Sequence, residues 1–560
     1  MTALRSNLEP GTTPWAMRRA QWTALGLTEE DFEKPKIAIV NSSSGLASCF
    51  SHLDGIVGPL REAIRDAGGV GFEVRTAAPS DAITSAGAAG RYILPSRDLV
   101  ANDVEVAVEG ALLDGMVCLS SCDKTTPAHL MAAGRLNIPT IVVACGYQPS
   151  GRWRGEDVDF EDVFRYAGHV VAGRMSVEDL AEMSACAVTG PGVCAGMGTA
   201  NSMHIAAEAL GMALPGSTPV LANSPRMWQA VAEAGRRIVE MVAADLRPRD
   251  IMTPGAFRNA VIAILAISGS VNTLKHLQAV AVEAGCEVDV YGLFEQLASD
   301  VPLLTAVKPN GPHGIDEFEA AGGARALLYR LRSLLDLDRR TVAGSTVREV
   351  IDGVEVAGAA VIRPVDDPYA RHPGIVILRG SLAPGGAVVK RTVADDGLRR
   401  FTGPAKVFHT RQEALAGIRT GAVEPGQVVV LTGLGLRGAP GMGLTSAVVF
   451  AIDGAGLGER VAVVTDGQMS GLVNKGLTVG EVNPEGAVGG PLGLVRDGDT
   501  IRIDVDTRTI DLDVPDDVLA ERRARLPALE APAGCGWLSV YARTVRPLTE
   551  GATLGSDKAE

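Results

Sequence analysis

Aromatic residues make up only 4% of this 560-residue chain, which argues against an aromatic-lined binding surface. It has no run of Lys and Arg that could track a phosphate backbone, and its 52 basic against 66 acidic residues leave a formal net charge of −14. A nucleic-acid partner is therefore not expected, and the acidity reads as solubility. No uninterrupted apolar segment approaches the roughly 18 residues of a membrane helix, so no membrane partner is expected either. The opening MTALRSNLEPG lacks the apolar core of a secretory signal, and the expected compartment is the cytoplasm. Eight cysteines are too few for a disulfide framework in so long a chain, and no CxxC pair marks a zinc ribbon.

What is abundant is glycine, 66 residues, within a globular balance of 46% hydrophobic and 21% charged residues. The glycines imply tight turns and backbone-lined loops. In the first two-thirds, short apolar runs at 36–40, 116–119 and 138–144 alternate with helix-spaced segments, one of them expected over 59–67 with Pro59 in its first turn. This is the βαβ pattern of a parallel sheet. Asn201-Ser202 reads as the cap of a further helix. Beyond residue 374 the texture changes to short Val-rich runs (IVIL, AVVK, QVVVL, RVAVVTDG, TIRIDV, TIDLDV). The expected fold is α/β: an N-terminal parallel-sheet α/β domain over 1–360, a linker over 361–373, and a C-terminal β-rich, barrel-like domain over 374–560 that includes the tail.

Cys49, Cys122 and Cys194 each stand in a polar or Gly-rich loop just ahead of a helix. In an open α/β sheet, ligands bind beyond the carboxyl ends of the strands, and the first two cysteines fall there. A helix N-terminus favours a thiolate. Three thiolates without a fourth suit an iron–sulfur cluster with one open coordination position. The competing reading treats each as a small buried apolar residue, as free cysteine usually is. Cys122 opens the tripeptide Cys122-Asp123-Lys124, which is either a hard-metal site or a local ion pair. His129, His204 and His276 read as helix packing.

The segments CDKTTPAHLMAAG, GPGVCAGMGTANSM, EALGMALPGS, SGSVNTLKHLQAVAVEAG, TDGQMSG and NPEGAVGGPLGLVRDGD, taken in order, resemble the dihydroxy-acid/6-phosphogluconate dehydratase family, from about residue 37 to 543. VPLLTAVKPNG and FEAAGG look closer to its sugar-acid branch. The resemblance implies that Cys49, Cys122 and Cys194 ligate an iron–sulfur cluster, [2Fe–2S] in preference to [4Fe–4S]. It implies that Asp81, Asp123 and a carbamylated Lys124 hold Mg²⁺ or Mn²⁺. An ammonium cannot ligate such an ion, whereas a carbamate supplies hard anionic oxygen. Ser470 matches a catalytic base, and Asn41, His52, Thr199 and Asn272 match positions around the cluster loops and substrate. The implied activity is a hydro-lyase that converts a 2,3-dihydroxy carboxylic acid, such as an aldonate, to a 2-keto-3-deoxy acid. The implied partners are a small hydroxy-acid substrate and further copies of the chain, as a homodimer or homotetramer.

Two positions depart from the family pattern. Leu444, in GAPGMGL, stands where a magnesium-binding Glu is usual, and Gln468, in TDGQMSG, stands where an Arg is usual. Two alternatives to the sugar-acid enzyme follow: a branched-chain dihydroxy-acid dehydratase, and a cluster-binding homologue with an impaired magnesium site and little activity. A zinc enzyme is disfavoured, because no Cys/His pair has zinc-ligand spacing.

Overall fold

The computed structural model describes residues 4–391, 398–471, 473, 475–529 and 534–555. Its first sheet is built from β1 (Lys36–Asn41), β2 (Val70–Arg75), β3 (Gly115–Ser120) and β4 (Thr140–Ala144), all parallel and ordered β2-β1-β3-β4. Helices Leu53–Asp66 and Pro225–Ala244 pack on each other and on the sheet, and so do Pro95–Gly110 and Thr125–Leu136. A parallel sheet covered in this way buries its strands on both faces. Accordingly β1, β3 and β4 are buried at every position, as their unbroken apolar runs require.

A hairpin of β5 (Gly151–Trp153) and β6 (Glu156–Val158) leads into helix Phe160–Val171. That helix crosses helix Ser446–Gly454 at Gly168, where a Cβ would lie 2.3 Å from the Phe450 carbonyl carbon. Only glycine lets the two backbones approach so closely. Phe164 meets Phe450 edge-to-face beside the crossing, with ring centroids 4.8 Å apart.

The second sheet contains β7 (Ile375–Leu378), β8 (Ala387–Lys390), β9 (Arg400–Phe408), β10 (Val428–Leu431), β11 (Ala462–Thr465), β12 (Leu477–Gly480), β13 (Thr500–Asp504) and β14 (Thr509–Asp513). Its order is β14-β13-β9-β10-β11-β12-β8-β7. The run β9 to β12 is parallel and the other pairings are antiparallel. Arg379, just past β7, exchanges backbone hydrogen bonds with Arg508 and Ile510, at 3.0 Å each, so the two edge strands nearly close a barrel. Strand alternation divides the side chains between two cores. Val428, Val430, Ala462 and Val464 fill the barrel, while Val429, Leu431 and Val463 face the main core shared with the first sheet.

This is the expected two-part α/β architecture, with local corrections. The helix expected over 59–67 runs over Leu53–Asp66 with Pro59 inside it, because Leu53, Ile56 and Val57 extend the buried face upstream. The helix expected to be capped by Asn201 begins at Thr199 behind Gly198, which leaves Asn201 in its first turn. β9 and β12 are strands that the sequence pattern did not mark. Among the described residues, no helix is long and apolar enough to cross a membrane.

A buried ion pair pins the two parts together. Lys275, on helix Asn272–Glu283, binds Glu481, the residue after β12, and neither side chain is more than 2% exposed. Removing one partner leaves the other charge buried and unpaired, which costs about 3–5 kcal/mol. Lys275→Met should therefore lower the thermal unfolding midpoint sharply, and adding Glu481→Met should restore much of it. A single variant as stable as the parent would show that the pin is not needed.

Candidate active site

Loops and one helix of the first part, with three residues of the second, line one cavity of about 370 Å³, within the size range of small-ligand sites. Cys49 comes from the loop after β1, Asp81 from the loop after β2, and Cys122 and Asp123 from the loop after β3. Cys194 and Thr199 come from the Gly-rich entry to helix Thr199–Ala209. Leu444, Gln468 and Ser470 come from the barrel side.

The cysteine loops are tied to one another. Ser121 donates its hydroxyl hydrogen bond to the Cys49 carbonyl, and Gly192 N–H donates to the Ser48 carbonyl at 3.3 Å. Thr125 closes the Cys122 turn by donating to the Cys122 carbonyl at 3.0 Å. Asn201 Nδ2 donates to the carbonyls of Cys194 (2.9 Å) and Gly196 (2.8 Å). Hydrogen bonding to Cys49 and burial hold the Cys122 thiol well above its ordinary pKa. Burial, followed by the nearby Asp123, does the same for Cys194. These thiols would lose their protons only to positive charge placed among them.

Among the described residues, no three His, Cys, Asp or Glu side chains converge as a set for one metal ion. Cys49, Cys122 and Cys194 nevertheless line the same cavity, and cysteine sulfurs are the donor chemistry of an iron–sulfur group. The magnesium set is conditional. Lys124 is fully buried, with Nζ 2.9 Å from Asp81 Oδ2 and 4.0 Å from Asp123 Oδ2. Burial pushes the Asp81 carboxyl up to about 7, against the pull of Lys124. Burial also opposes the charge on Lys124, but Asp81 and Asp123 outweigh it and raise its pKa. Asp81 Oδ1 is buried with no hydrogen-bond partner, an open oxygen of the kind a hard cation uses. Asp123 Oδ1 is already engaged by Ala200 N–H at 3.1 Å. Leu444 offers only alkyl surface, so the set fits magnesium only with Lys124 carbamylated.

Ser470 lies beyond the carboxyl end of β11. Its N–H donates to Ser446 Oγ at 2.8 Å, and the next carbonyl, of Gly471, accepts from buried Lys390 at 2.8 Å. Burial lowers Lys390 to about 8, with Glu161 opposing. Upstream, the Asp466 carboxylate gathers the N–H groups of Gly433, Leu434 and Gly486 and fixes the turn.

The remaining expected residues separate. Thr199 lines the cavity and accepts from Asn272 Nδ2 at 3.0 Å, so Asn272 stands behind it. Asn41 and His52 do not line it. Asn41 joins Asp54 to Glu73, and His52 bonds the Cys145 carbonyl at 2.7 Å. His129 and His204 do more than pack helices. His129 bonds Ser120 at 2.8 Å and His204 bonds the Ser121 backbone. Burial lowers them to about 3 and about 4, so two neutral imidazoles prop the strand end ahead of Cys122. Sequence reasoning took Asn201 only as a helix cap and missed its contact with the Cys194 carbonyl; the only signal for it was its place seven residues after Cys194.

Comparison with known proteins gives a consistent result. Residues 34–350 match the family model described as dihydroxy-acid/6-phosphogluconate dehydratase N-terminal, and residues 360–552 match its C-terminal counterpart. The chain is 39% identical to the dihydroxy-acid dehydratase of Moorella thermoacetica over 541 residues, 96% of this chain and 98% of that protein. Identity to the dihydroxy-acid dehydratase of Ignicoccus hospitalis is 39%, covering 96% of this chain and 98% of that one. For the dihydroxy-acid dehydratase of Syntrophobacter fumaroxidans it is 39%, covering 99% and 100%.

Proposed function

From the premise that this chain belongs to the dihydroxy-acid/6-phosphogluconate dehydratase family, and is thus a hydro-lyase acting on a dihydroxy acid, we propose that it removes water from a 2,3-dihydroxy carboxylic acid in the cavity between its two parts, with Ser470 taking the C2 proton. The observation that carries this reading is the cavity itself, which gathers Cys49, Cys122, Cys194, Asp81, Asp123 and Ser470 from separate elements.

An iron–sulfur cluster on the three cysteines, and magnesium on Asp81, Asp123 and a carbamylated Lys124, would supply Lewis acidity toward the substrate's hydroxyl and carboxylate oxygens. The protein's own groups do the rest. Ser470, as the alkoxide, accepts the C2 proton. The electron pair of that C–H bond forms the C2–C3 double bond as the C3–O bond breaks. Hydroxide leaves and departs as water after taking the proton that Ser470 accepted, which restores the alkoxide, and the enol tautomerises to the 2-keto acid. No electrons are gained or lost overall. The side chains of Ser446 and Lys390 hold the Ser470 loop in place by bonding its backbone.

For the substrate's tail, the wall favours a short alkyl group. Leu46, Ile83, Ile93, Phe160, Phe164 and Leu444 line the cavity, and burying unpaired hydroxyls against such a wall is costly. The sugar-acid features of the sequence lie elsewhere: Gly311 abuts Ala306 and Gly323 abuts Thr218, and neither lines the cavity. A sugar acid is the second reading, favoured by unpartnered acceptor oxygens on Asn201 and Gln468. Anaerobically reconstituted enzyme should turn over 2,3-dihydroxyisovalerate faster than gluconate. The reverse order would select the sugar acid, and no turnover of either would defeat the dehydratase reading.

A further inference from the structure

Gln468 is 2% exposed and lines the cavity, yet its Oε1 has no hydrogen-bond partner. Its backbone is fully used: the N–H donates to the Gly443 carbonyl at 2.9 Å, and the carbonyl accepts from Thr445 N–H (3.0 Å) and Oγ1 (3.1 Å). Met469 turns into the core and takes the Thr445 hydroxyl at its sulfur. Residues two apart in extended chain share a face, and Gln468 and Ser470 both reach the cavity. A buried amide left without a partner costs free energy, and a polar group that reached it from the cavity would recover that cost. Asn201 repeats the pattern from the first part: both carbonyl contacts of its Nδ2 fix the amide's orientation and leave Oδ1 buried and unpartnered.

The charge on the wall narrows what that ligand is. Among the described residues lining the cavity, the ionisable oxygens belong to Asp81 and Asp123, and there is no Lys, Arg or His. Among the described wall residues, a second anionic group on the substrate would find no Lys, Arg or His to pair with.

We propose that Gln468 is a substrate-recognition residue. Its neutral amide bonds a hydroxyl of the bound acid, on a wall whose described residues include no Lys, Arg or His, so that the site selects hydroxy acids that carry no phosphate. This rests on the dehydratase reading above. The donor is a hydroxyl that every 2,3-dihydroxy acid carries, so the inference holds for either tail.

The test uses the anaerobic holoenzyme with 2,3-dihydroxyisovalerate and 6-phosphogluconate. Gln468→Met keeps the shape and removes the polar group; it should raise KM for the first acid about tenfold, with kcat within about threefold. Gln468→Glu sets a like charge beside the acid and should raise KM further. Gln468→Lys plants a cation and should shift the preference toward 6-phosphogluconate about tenfold or more. A merely structural residue would lower kcat and cluster content together and leave the preference unmoved. KM within twofold of the parent in both Gln468→Met and Gln468→Glu would overturn the proposal, as would an unchanged preference in Gln468→Lys. If the parent turns over neither of these acids nor gluconate, the dehydratase reading fails separately. Calorimetric binding of 2-oxoisovalerate then still decides on Gln468: weaker binding to Gln468→Met supports it, and equal binding refutes it.

Discussion

Ser470→Ala should lower kcat by about 10²–10⁴-fold, the range expected for loss of a positioned proton acceptor, and change KM little. The argument rests on what the substitution leaves in place. The loop is held by backbone groups: Ser470 N–H to Ser446, the Gly471 carbonyl to Lys390, and Val473 N–H to the Ser470 carbonyl. These three backbone contacts survive the substitution. The cluster ligands belong to other loops, so iron content and the visible spectrum should match the parent. Two measurements separate a chemical role from a structural one. Exchange of the substrate's C2 hydrogen with solvent should disappear in the variant, and a C2-deuterated substrate should report how far that step limits the parent. If kcat stays within tenfold of the parent and C2 exchange persists, another group takes the proton.

The parts of this protein that could be read from sequence are those set by local pattern. β1, β3 and β4 are buried on both faces, so their apolar runs are continuous and stand out. The cysteines could be found because each follows a strand or Gly-rich stretch and precedes a helix, a setting visible along the chain. Helix Leu53–Asp66 was placed too late because Pro59 resembles a first-turn residue; only the packing of Leu53 and Ile56 shows that the helix starts earlier. β9 was hidden by Gly403-Pro404, which breaks the strand pattern in Arg400–Phe408, although these residues pair with β13.

The residues that support the site loops from behind could not be read, because they act across the fold. His129 and His204 matter only through Ser120 and Ser121, and Asn201 only because its helix begins at Thr199 and turns its amide toward the Cys194 carbonyl. Thr199 and Asn272, 73 positions apart, meet through one hydrogen bond, and Lys275 reaches Glu481 across 206 positions. No spacing rule encodes such contacts. The same holds for Leu444 and Gln468. Both were visible as departures from a pattern, but their meaning came from finding them bridged to each other on the wall that also carries Ser470.

Cys122→Ser should abolish the cluster, while Cys118→Ala should keep it. Both thiols are buried and only four residues apart, so burial alone does not tell them apart. Their surroundings do. Cys118 lies within β3, fully enclosed in the main core, and only burial raises its thiol pKa. Cys122 lies beyond the end of β3, in the cavity, and its pKa responds to Cys49, Asp123 and Asp81, a set of groups arranged around one space. A serine hydroxyl in that place gives up its proton far less readily than a thiol and is a poor ligand for iron. With only two thiols remaining, iron and sulfide in anaerobically reconstituted Cys122→Ser should fall below about one-tenth of the parent, and the charge-transfer absorbance should vanish with turnover. Cys118→Ala should lose stability through its core cavity but retain iron, sulfide and spectrum in the folded fraction. Equal iron in Cys122→Ser and the parent would remove the three-cysteine site. Loss in both variants would mean that the β3 core, rather than the loop ligand, governs cluster retention.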